Sequence, residues 1–246
     1  MSYEPLYIPN SVLEERKDFD GVSIPPPMHF HTGQTIMMFR APMEFVDRMN
    51  GIYDDPEQRK NFPVPYQAEH LNLHTQHQLY SDNDFKVFFN FIPDDIHEWV
   101  KDRIHQYLQT IHFEYAGIRT KVAWICEYGA NEFIKNHIHF GTGSNKLGLI
   151  AQMTLKMPKI MGNEDISEES AEFNKCGQVQ FITSSGSSAF GTPIVTVASE
   201  PGALIIYPYD MVHCVYPHYN ENEIRRTMPT NIDVYTHDRI NAPGDF

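Results

Sequence analysis

The chain has 246 residues, a formal net charge of −13, and ordinary apolar and charged fractions of 41% and 21%. This length and composition predict one globular unit with a sizeable core. The negative charge argues against nucleic acid as the main partner, because such binding depends largely on Lys and Arg neutralising phosphates. A small anionic ligand held by one or two arginines is compatible with it.

Cysteine usage and hydropathy bear on location. Cys126, Cys176 and Cys214 are widely spaced and form no CxxC motif, which is typical of thiols in a reducing compartment. No apolar run approaches the roughly 20 residues of a membrane span. The N-terminal "MSYEPLYIPN" lacks the basic and apolar regions of a secretory signal. We therefore expect a cytoplasmic protein without a membrane partner.

The first 120 residues are predicted to form a helical and irregular support. Residues 1–35 include three consecutive prolines in "SIPPPMHFHTG", which neither a helix interior nor a central strand accommodates. "QTIMMFRAP" predicts a strand, and "MEFVDRMNGIYDD" predicts a short helix that ends near Gly51. Residues 54–90 are mixed and polar.

The clearest helix is predicted in "PDDIHEWVKDRIHQYLQTIHFEY", with Asp94 or Asp95 as its N-terminal cap. Apolar residues recur at helical spacing along one face: Ile96, Trp99, Val100, Ile104, Tyr107, Leu108 and Ile111. We interpret this face as core packing.

From Lys121 onward the apolar pattern has a period of two. "LGLIAQMTLKM" places Leu149, Ala151, Met153 and Leu155 on one side of a strand. Further short strands are predicted in "KVAWICEY", "GQVQFIT", "PIVTVAS", "GALIIYP", "HCVYP" and "TNIDVY". Many short strands at close spacing indicate a β-sandwich or barrel. We predict one domain over residues 1–246, mainly β with helical support (α+β), whose barrel core is 121–246 and whose supporting part is 1–120.

The first candidate site is "NEFIKNHIHFGTG", which contains His137 and His139. Residues i and i+2 of a strand point to the same face, so the two imidazoles can chelate one metal. Two surface histidines at a strand end are the alternative, and the pair alone does not decide between them.

The second candidate site lies in residues 200–235. His213 opens a predicted strand, and Arg225, Arg226 and Thr227 follow. This pattern suits a histidine that binds a metal and an arginine that binds the far carboxylate of a metal-chelating acid, since Arg matches a carboxylate with two prongs. Thr227 would share the face of Arg225 and donate a hydroxyl. Strand alternation favours Arg225 over Arg226, although a bulge would reverse the two.

Residues 121–235 resemble the Fe(II)/2-oxoglutarate-dependent oxygenases, in particular a prolyl-hydroxylase-like group common in tailed phages and marine bacteria. The matching features are Trp124, "EYGANEF", "HIH", "LGLIAQM", "GQVQF", "EPGALIIYPYDMVHCVYP" and "RRT". The last two form the specific part of the match, to the family pattern "PxxGxLxxFPxxxxHxVxP" and an "RRS"-like arginine. A phage-encoded chain would act in the host cytoplasm.

The resemblance implies a double-stranded β-helix barrel, also called a jelly-roll or cupin-like barrel. It further implies Fe(II) held by His137, His139 and His213, with 2-oxoglutarate as cosubstrate bound by Arg225 and Thr227. The expected reaction uses O2 to hydroxylate a small-molecule or peptide substrate and releases succinate and CO2. The sequence does not identify that substrate.

The chain departs from the family pattern in two places. Position 139 is His, whereas most such enzymes have Asp or Glu as the second ligand. Three histidines would leave the site one unit more positive and shift its preference toward Zn or Ni, unless Glu132 or Asp210 supplies the missing carboxylate. "KLGLIAQM" stands where a Ser-Gly-Val-aromatic run is expected, which predicts a different substrate pocket.

Other histidines and one loop are less promising. His70, His74 and His77 have helical spacing, but few helix signals accompany them. His29 and His31 are interpreted as surface residues. His218 is predicted to be exposed, and "SSGSSAFG" is predicted to be a flexible loop that binds no phosphate.

Two rival interpretations keep a barrel but change its role. One is a cupin-type metal enzyme or sugar-binding protein, and the other is a non-catalytic phage structural barrel. The Arg225–Arg226–Thr227 segment favours the oxygenase, because neither rival requires a buried arginine there.

Overall fold

The computed structural model describes residues 16–17, 23–24, 28–31, 34–63, 75–83, 86–139, 147–159, 177–182, 194–197 and 199–237. The helices are α1 Met43–Asp54, α2 Pro56–Arg59 and α3 Asp94–Thr110. The strands are β1 Arg16–Lys17, β2 Ser23–Ile24, β3 Met28–His31, β4 Thr35–Arg40, β5 Thr75–Asn83, β6 Lys86–Asn90, β7 Gly117–Tyr128, β8 Ile134–His137, β9 Gly148–Lys156, β10 Val179–Ile182, β11 Ile194–Val197, β12 Ala203–Pro208, β13 Val212–Val215 and β14 Arg225–Tyr235.

Two antiparallel sheets form the body of the described chain. The large sheet has eight strands in the order β3-β4-β12-β9-β14-β7-β5-β6, and the small sheet has four in the order β11-β10-β13-β8. A separate pair joins β1 and β2. The mainly antiparallel, β-rich architecture with few helices confirms the predicted fold class.

The large sheet is buried on both faces. Leu149, Ala151, Met153 and Leu155 of β9 share one face and belong to the apolar cluster that includes the buried side chains of α1 and α3. Ile150 points the other way, into a second cluster shared with the small sheet. The period-two pattern therefore predicted correctly which β9 residues pack together, and the space between the two sheets is the barrel interior.

The helical face predicted in residues 93–115 is confirmed. Ile96, Val100 and Ile104 are buried, and Trp99 and Ile111 pack at the edge of the same cluster. The predicted cap is wrong. Pro93 occupies the N-cap position without a side-chain hydrogen bond, and Asp94 and Asp95 lie in the first turn. There their charges favour the positive end of the helix dipole.

Helix α1 also differs from the prediction, because it continues through Gly51 to Asp54. Gly51 is exposed, while Met49 and Tyr53 on either side of it are completely buried. Packing of this face against the sheet outweighs the low helix propensity of one glycine.

The N-terminal part supplies strands as well as helices. β4, β5 and β6 hydrogen-bond into the large sheet, and β7 begins at Gly117 and crosses the predicted boundary after residue 120. The polar composition of residues 54–90 concealed β5 and β6. The single-domain organisation stays a prediction. None of the helices in the described ranges combines the length and apolar character that crossing a membrane requires.

Candidate functional site

Three histidines meet between the ends of β8 and β13. His137, the last residue of β8, lies directly opposite His213 of β13 in the sheet register. His139 lies two residues beyond β8, where its backbone N–H donates to the carbonyl of Tyr209 at 2.8 Å. One ring nitrogen from each histidine lies within 4.8 Å of the other two. Such a cluster can hold a single metal ion.

The hydrogen bonds of the rings prepare them for a metal. Nδ1 of His213 donates to the carbonyl of Met211 at 2.9 Å, and Nδ1 of His137 donates to the carbonyl of Lys135 at 2.8 Å. A carbonyl only accepts, so both protons are on Nδ1 and both Nε2 atoms carry a lone pair. Nε2 of His139 lies 3.3 Å from Nε2 of His213.

Burial keeps these imidazoles neutral. It lowers the pKa of His213 well below its usual value, and the neighbouring His137 and His139 add to the effect. Burial, assisted by His137, lowers the pKa of His139 to about 3. Neutral imidazole is the form that binds a metal, so no proton has to leave when the ion enters.

The metal cluster contains only histidines among the described residues. Glu132 accepts the backbone N–H of Gly129 at 2.5 Å and thereby closes the turn after β7. Asp210 accepts from Nε2 of Gln34 at 2.8 Å and is exposed. Both carboxylates that were candidates for a missing ligand are therefore engaged elsewhere.

The other candidate histidines are not part of the metal cluster found among the described residues. Nδ1 of His77 lies 2.7 Å from the hydroxyl of Tyr53, on the helical side of the large sheet. His70, His74 and the segment 184–191 lie outside the described residues. His29 and His31 belong to β3, and only their backbone is described.

The prediction that His218 is exposed is wrong. It is 3% exposed, and its Nε2 lies 3.0 Å from the carbonyl of Tyr128. Its own carbonyl accepts the N–H of Asn131. His218 follows β13 in a loop, so the strand alternation used for the prediction does not apply there. The residue instead links this loop to the turn after β7.

Arg225 lies inside the barrel and is completely buried. Its Nε donates to the carbonyl of Gly177 at 2.7 Å, and its guanidinium carbon lies 4.8 Å from the centre of the Tyr128 ring. Its terminal Nη1 and Nη2 have no hydrogen-bond partner among the described residues. Burial lowers the pKa of this guanidinium. The end of the side chain is thus a two-pronged donor without an anion.

Arg226 points to the opposite face of the large sheet. Its guanidinium binds the carboxylate of Glu127 through Nε at 2.9 Å and Nη2 at 2.6 Å. It also donates to Asp54 and Asn50 of α1. Its role is therefore to join the helix to the sheet.

Polar side chains with unused hydrogen-bonding groups line the interior along β9 and β14, from Thr227 close to Arg225 to Asn231 beside His139. Thr227 Oγ1, Thr154 Oγ1, Gln152 Nε2 and Asn231 Oδ1 are buried and have no partner among the described residues. Thr227 and Thr154 face each other across β14 and β9. A buried polar group normally has a partner, so this lining points to a polar ligand.

Tyr207 connects the two halves of the site. Its hydroxyl lies 3.1 Å from Nε2 of His213. Burial and the nearby Tyr128 raise its pKa well above the usual value, while the charge of Arg225 acts in the opposite direction. Tyr207 belongs to the same buried cluster between the sheets as Tyr128, whose ring contacts Arg225, so the histidine cluster and the buried arginine open onto one interior.

Sequence reasoning missed four residues of this site: Tyr128, Gly177, Gln152 and Tyr207. The signal for Tyr207 was available, since the family pattern has Phe where the chain has this tyrosine. Gly177 has a positive φ of 66°, which turns its carbonyl toward Arg225. Its position just before a strand gave only a weak indication of that role.

No protein-family model and no curated protein matches the chain. Many solved structures do, and three of them are compared with the chain below. A prolyl 4-hydroxylase of Pseudomonas putida is 11% identical, with a TM-score of 0.50 over 82% of this chain and 92% of its own. A 2OG-Fe(II) oxygenase family oxidoreductase of Burkholderia pseudomallei is 12% identical, with a TM-score of 0.52 over 80% and 84%. The non-heme, alpha-ketoglutarate-dependent carbocyclase SnoK of nogalamycin biosynthesis is 11% identical, with a TM-score of 0.54 over 86% and 88%.

The chain has the fold of the Fe(II)/2-oxoglutarate oxygenases. At 11 to 12% identity the similarity establishes the fold alone. The double-stranded β-helix of the oxygenase fold accounts for the two facing sheets. A fold does not determine an activity, which depends on the residues of the site.

Proposed function

We propose that the chain is an Fe(II)- and 2-oxoglutarate-dependent oxygenase that uses O2 to hydroxylate a small molecule or a peptide, with release of succinate and CO2. One observation carries the proposal. A metal-competent histidine cluster and a buried arginine with two unpartnered donors share one barrel interior. A metal-chelating dicarboxylic acid would satisfy both.

The histidine cluster fits a divalent ion. His137, His139 and His213 offer three neutral nitrogens, and imidazole suits Fe as well as Zn and Ni. Three protein ligands leave positions open for further ligands, which a catalytic metal requires. No protein carboxylate lowers the positive charge of the ion among the described residues, so an anionic chelator would be favoured there.

The interior around Arg225 fits the distal carboxylate of 2-oxoglutarate. The bond from Nε to Gly177 fixes the guanidinium plane and directs the two terminal nitrogens into the interior. Charge-assisted, two-pronged hydrogen bonds of this kind are strong and geometrically selective. Thr227 Oγ1 is available as an additional hydrogen-bond donor.

When bound, iron with 2-oxoglutarate and O2 supplies the oxidising power that a C–H hydroxylation needs. The chain binds and orients the reactants and shields them from water. Apolar side chains of both sheets, including Phe181 beside His213 in the small sheet and Ile150 in the large sheet, pack between the sheets and limit the access of water. Such exclusion of water strengthens the polar contacts within.

The rival interpretations account less well for the interior. A cupin-type metal enzyme or a non-catalytic barrel could use the three histidines. Neither gives a role to a completely buried arginine whose terminal nitrogens lack an anion. The substrate and the cytoplasmic location stay predictions.

The test is an anaerobic titration of the protein with Fe(II) and 2-oxoglutarate, followed by admission of O2. We expect the weak visible charge-transfer band of the iron chelate and then slow formation of succinate. His213→Ala should abolish both. His105→Gln is the matched control, because His105 bonds to Tyr115 outside the cluster. Absence of the band and of succinate in the wild-type protein would refute the proposal.

A further inference from the structure

Tyr207 is a completely buried phenol that the proposed function does not yet use. Its hydroxyl donates to Oε1 of Gln152 at 3.4 Å and lies 3.1 Å from Nε2 of His213. Its ring is fixed edge-on against Phe181, with centroids 4.8 Å apart. The hydroxyl therefore has a defined place beside the metal cluster.

Metal binding changes the hydrogen bonds open to this hydroxyl. Nδ1 of His213 carries the ring proton, because it donates to the carbonyl of Met211. The lone pair of Nε2 and Oε1 of Gln152 are then two acceptors within reach of the single Tyr207 proton, and the Nε2 lone pair would also bind the metal. An ion at the histidines removes that acceptor. The proton of Tyr207 is left for Gln152 or for an anion on the metal.

Gln152 provides a second donor at the same place. Its side chain is 5% exposed, and its Nε2 has no hydrogen-bond partner among the described residues. Its Oε1 lies next to the Tyr207 hydroxyl, so an anion that takes the Tyr207 proton in place of Oε1 or Nε2 of His213 would meet one O–H and one N–H side by side. Two neutral donors side by side suit a carboxylate oxygen.

We propose that Tyr207 and Gln152 bind the metal-chelating carboxylate of the 2-oxo acid, at the opposite end of that molecule from Arg225. This inference rests on the proposed function. Its geometric basis is the contact of the phenol with His213, whose Nε2 is a metal-binding atom. A 2-oxo acid that chelates through its keto oxygen and one carboxylate oxygen leaves the second carboxylate oxygen in need of donors.

The test consists of three titrations of the full-length protein, each followed by visible absorbance and calorimetry. Co(II) alone is titrated into the metal-free protein. The Co(II)-loaded protein is then titrated with 2-oxoglutarate, or with 2-oxopentanoate, which has the same carbon chain but lacks the distal carboxylate. The variants are Tyr207→Phe, Gln152→Met and Arg225→Met. Tyr107→Phe is the matched control, because Tyr107 is also buried and donates to the carbonyl of Thr35 on the helical side.

We expect Tyr207→Phe to bind Co(II) as well as the wild type or slightly better, since a competitor for Nε2 is gone. It should bind both 2-oxo acids about tenfold more weakly, the usual loss for a hydrogen bond to a charged group. Gln152→Met should show a smaller loss for both acids. Arg225→Met should weaken only 2-oxoglutarate. Tyr107→Phe should match the wild type in every titration.

The outcomes separate the inference from the function on which it rests. If the Co(II)-loaded wild type binds neither acid, the proposed function fails. If it binds 2-oxoglutarate but Tyr207→Phe binds equally well, only the inference fails. A Tyr207→Phe loss seen with 2-oxoglutarate and absent with 2-oxopentanoate would place the phenol at the distal end and overturn the assignment.

Discussion

Arg225 and Arg226 are neighbours in sequence, yet they face opposite sides of the large sheet. Arg226 is 1% exposed and bonds to Glu127, which is 2% exposed. Arg225 is equally buried, but its terminal nitrogens lack an anion among the described residues. One arginine therefore stabilises the folded chain, and the other is poised for a ligand.

This difference predicts two distinct phenotypes. Arg226→Met would leave Glu127 buried with Arg59 as its remaining cationic partner, at 2.9 Å. Breaking a buried pair costs about 3–5 kcal/mol, and we expect the lower end because Arg59 remains. Arg225→Met should leave the free energy of unfolding nearly unchanged and weaken 2-oxoglutarate binding at least tenfold. Urea unfolding and ligand titration of both variants measure the two effects. Equal effects of the two substitutions in both assays would contradict the assignment.

The site histidines predict how the stability of the metal-free protein depends on pH. In the unfolded chain a histidine has a pKa near 6.5. In the folded chain burial lowers the pKa of His139 to about 3 and that of His213 well below its usual value. Below pH of about 6.5 the unfolded state therefore binds more protons than the folded state. The free energy of unfolding should fall as the pH decreases from about 6.5 toward 3.

The measurement is urea unfolding in the presence of a chelator between pH 7.5 and 5. His139→Gln removes one of the titrating groups and should make the slope shallower, by up to about 1.4 kcal/mol per pH unit. His77 and His97 also have lowered pKa values and contribute equally to both proteins. If the free energy of unfolding had the same dependence on pH in the wild type and in His139→Gln, His139 would bind a proton as readily in the folded state as in the unfolded state.

At the level of elements, periodic patterns predicted most of the architecture. The alternation in β9 and the apolar face of α3 were correct because each reflects packing of one element against the same core. The pairing of His137 with His139 was accessible because they lie close in sequence, whereas His213, 74 residues beyond His139, was added through the resemblance to the oxygenases. The parts that failed depend on distant contacts. The burial of His218 requires a carbonyl 90 residues away, and Arg226 is held by an acid 99 residues away.

The start of β9 gives an element-scale prediction. A Cβ on Gly148 would lie 2.1 Å from the Tyr209 ring and 2.6 Å from the carbonyl oxygen of Ile232. The backbone of Tyr209 bonds to Gly148 on one side and to His139 on the other. Gly148→Ala should therefore displace Tyr209, weaken metal binding and lower the free energy of unfolding by about 1–3 kcal/mol.

Gly117→Ala is the matched control for this prediction. Gly117 also begins a strand of the large sheet, but a Cβ there would meet nothing within 4 Å. Chemical unfolding and Co(II) titration of both variants are the measurements. A Gly148→Ala protein that equals Gly117→Ala in stability would mean that this corner accommodates the methyl group without moving Tyr209.

At the scale of the whole molecule, the large sheet separates support from chemistry. One face packs against the helices, and its charged groups, including Arg226 and Glu127, are paired. The other face carries Arg225 and polar groups without partners among the described residues, opposite the small sheet that holds His137 and His213. The first face accounts for stability without a ligand. The second face is completed only by what binds between the sheets.

This organisation predicts that metal and 2-oxoglutarate stabilise the folded protein together. A ligand that binds only the folded state adds about 2.7 kcal/mol at one hundred times its dissociation constant. For a chain of this length that corresponds to a rise in Tm of roughly 5–10 °C. We expect a moderate rise with Co(II), little with 2-oxoglutarate alone, and more than the sum with both, because the acid needs the metal at one end and Arg225 at the other.

Glutarate lacks the keto group that completes the chelate and should have little effect, and DNA or RNA should have none because the net charge is −13. The measurement is thermal unfolding of the metal-free protein after each addition. If glutarate without metal raised the Tm as much as 2-oxoglutarate with Co(II), the acid would bind independently of the histidines.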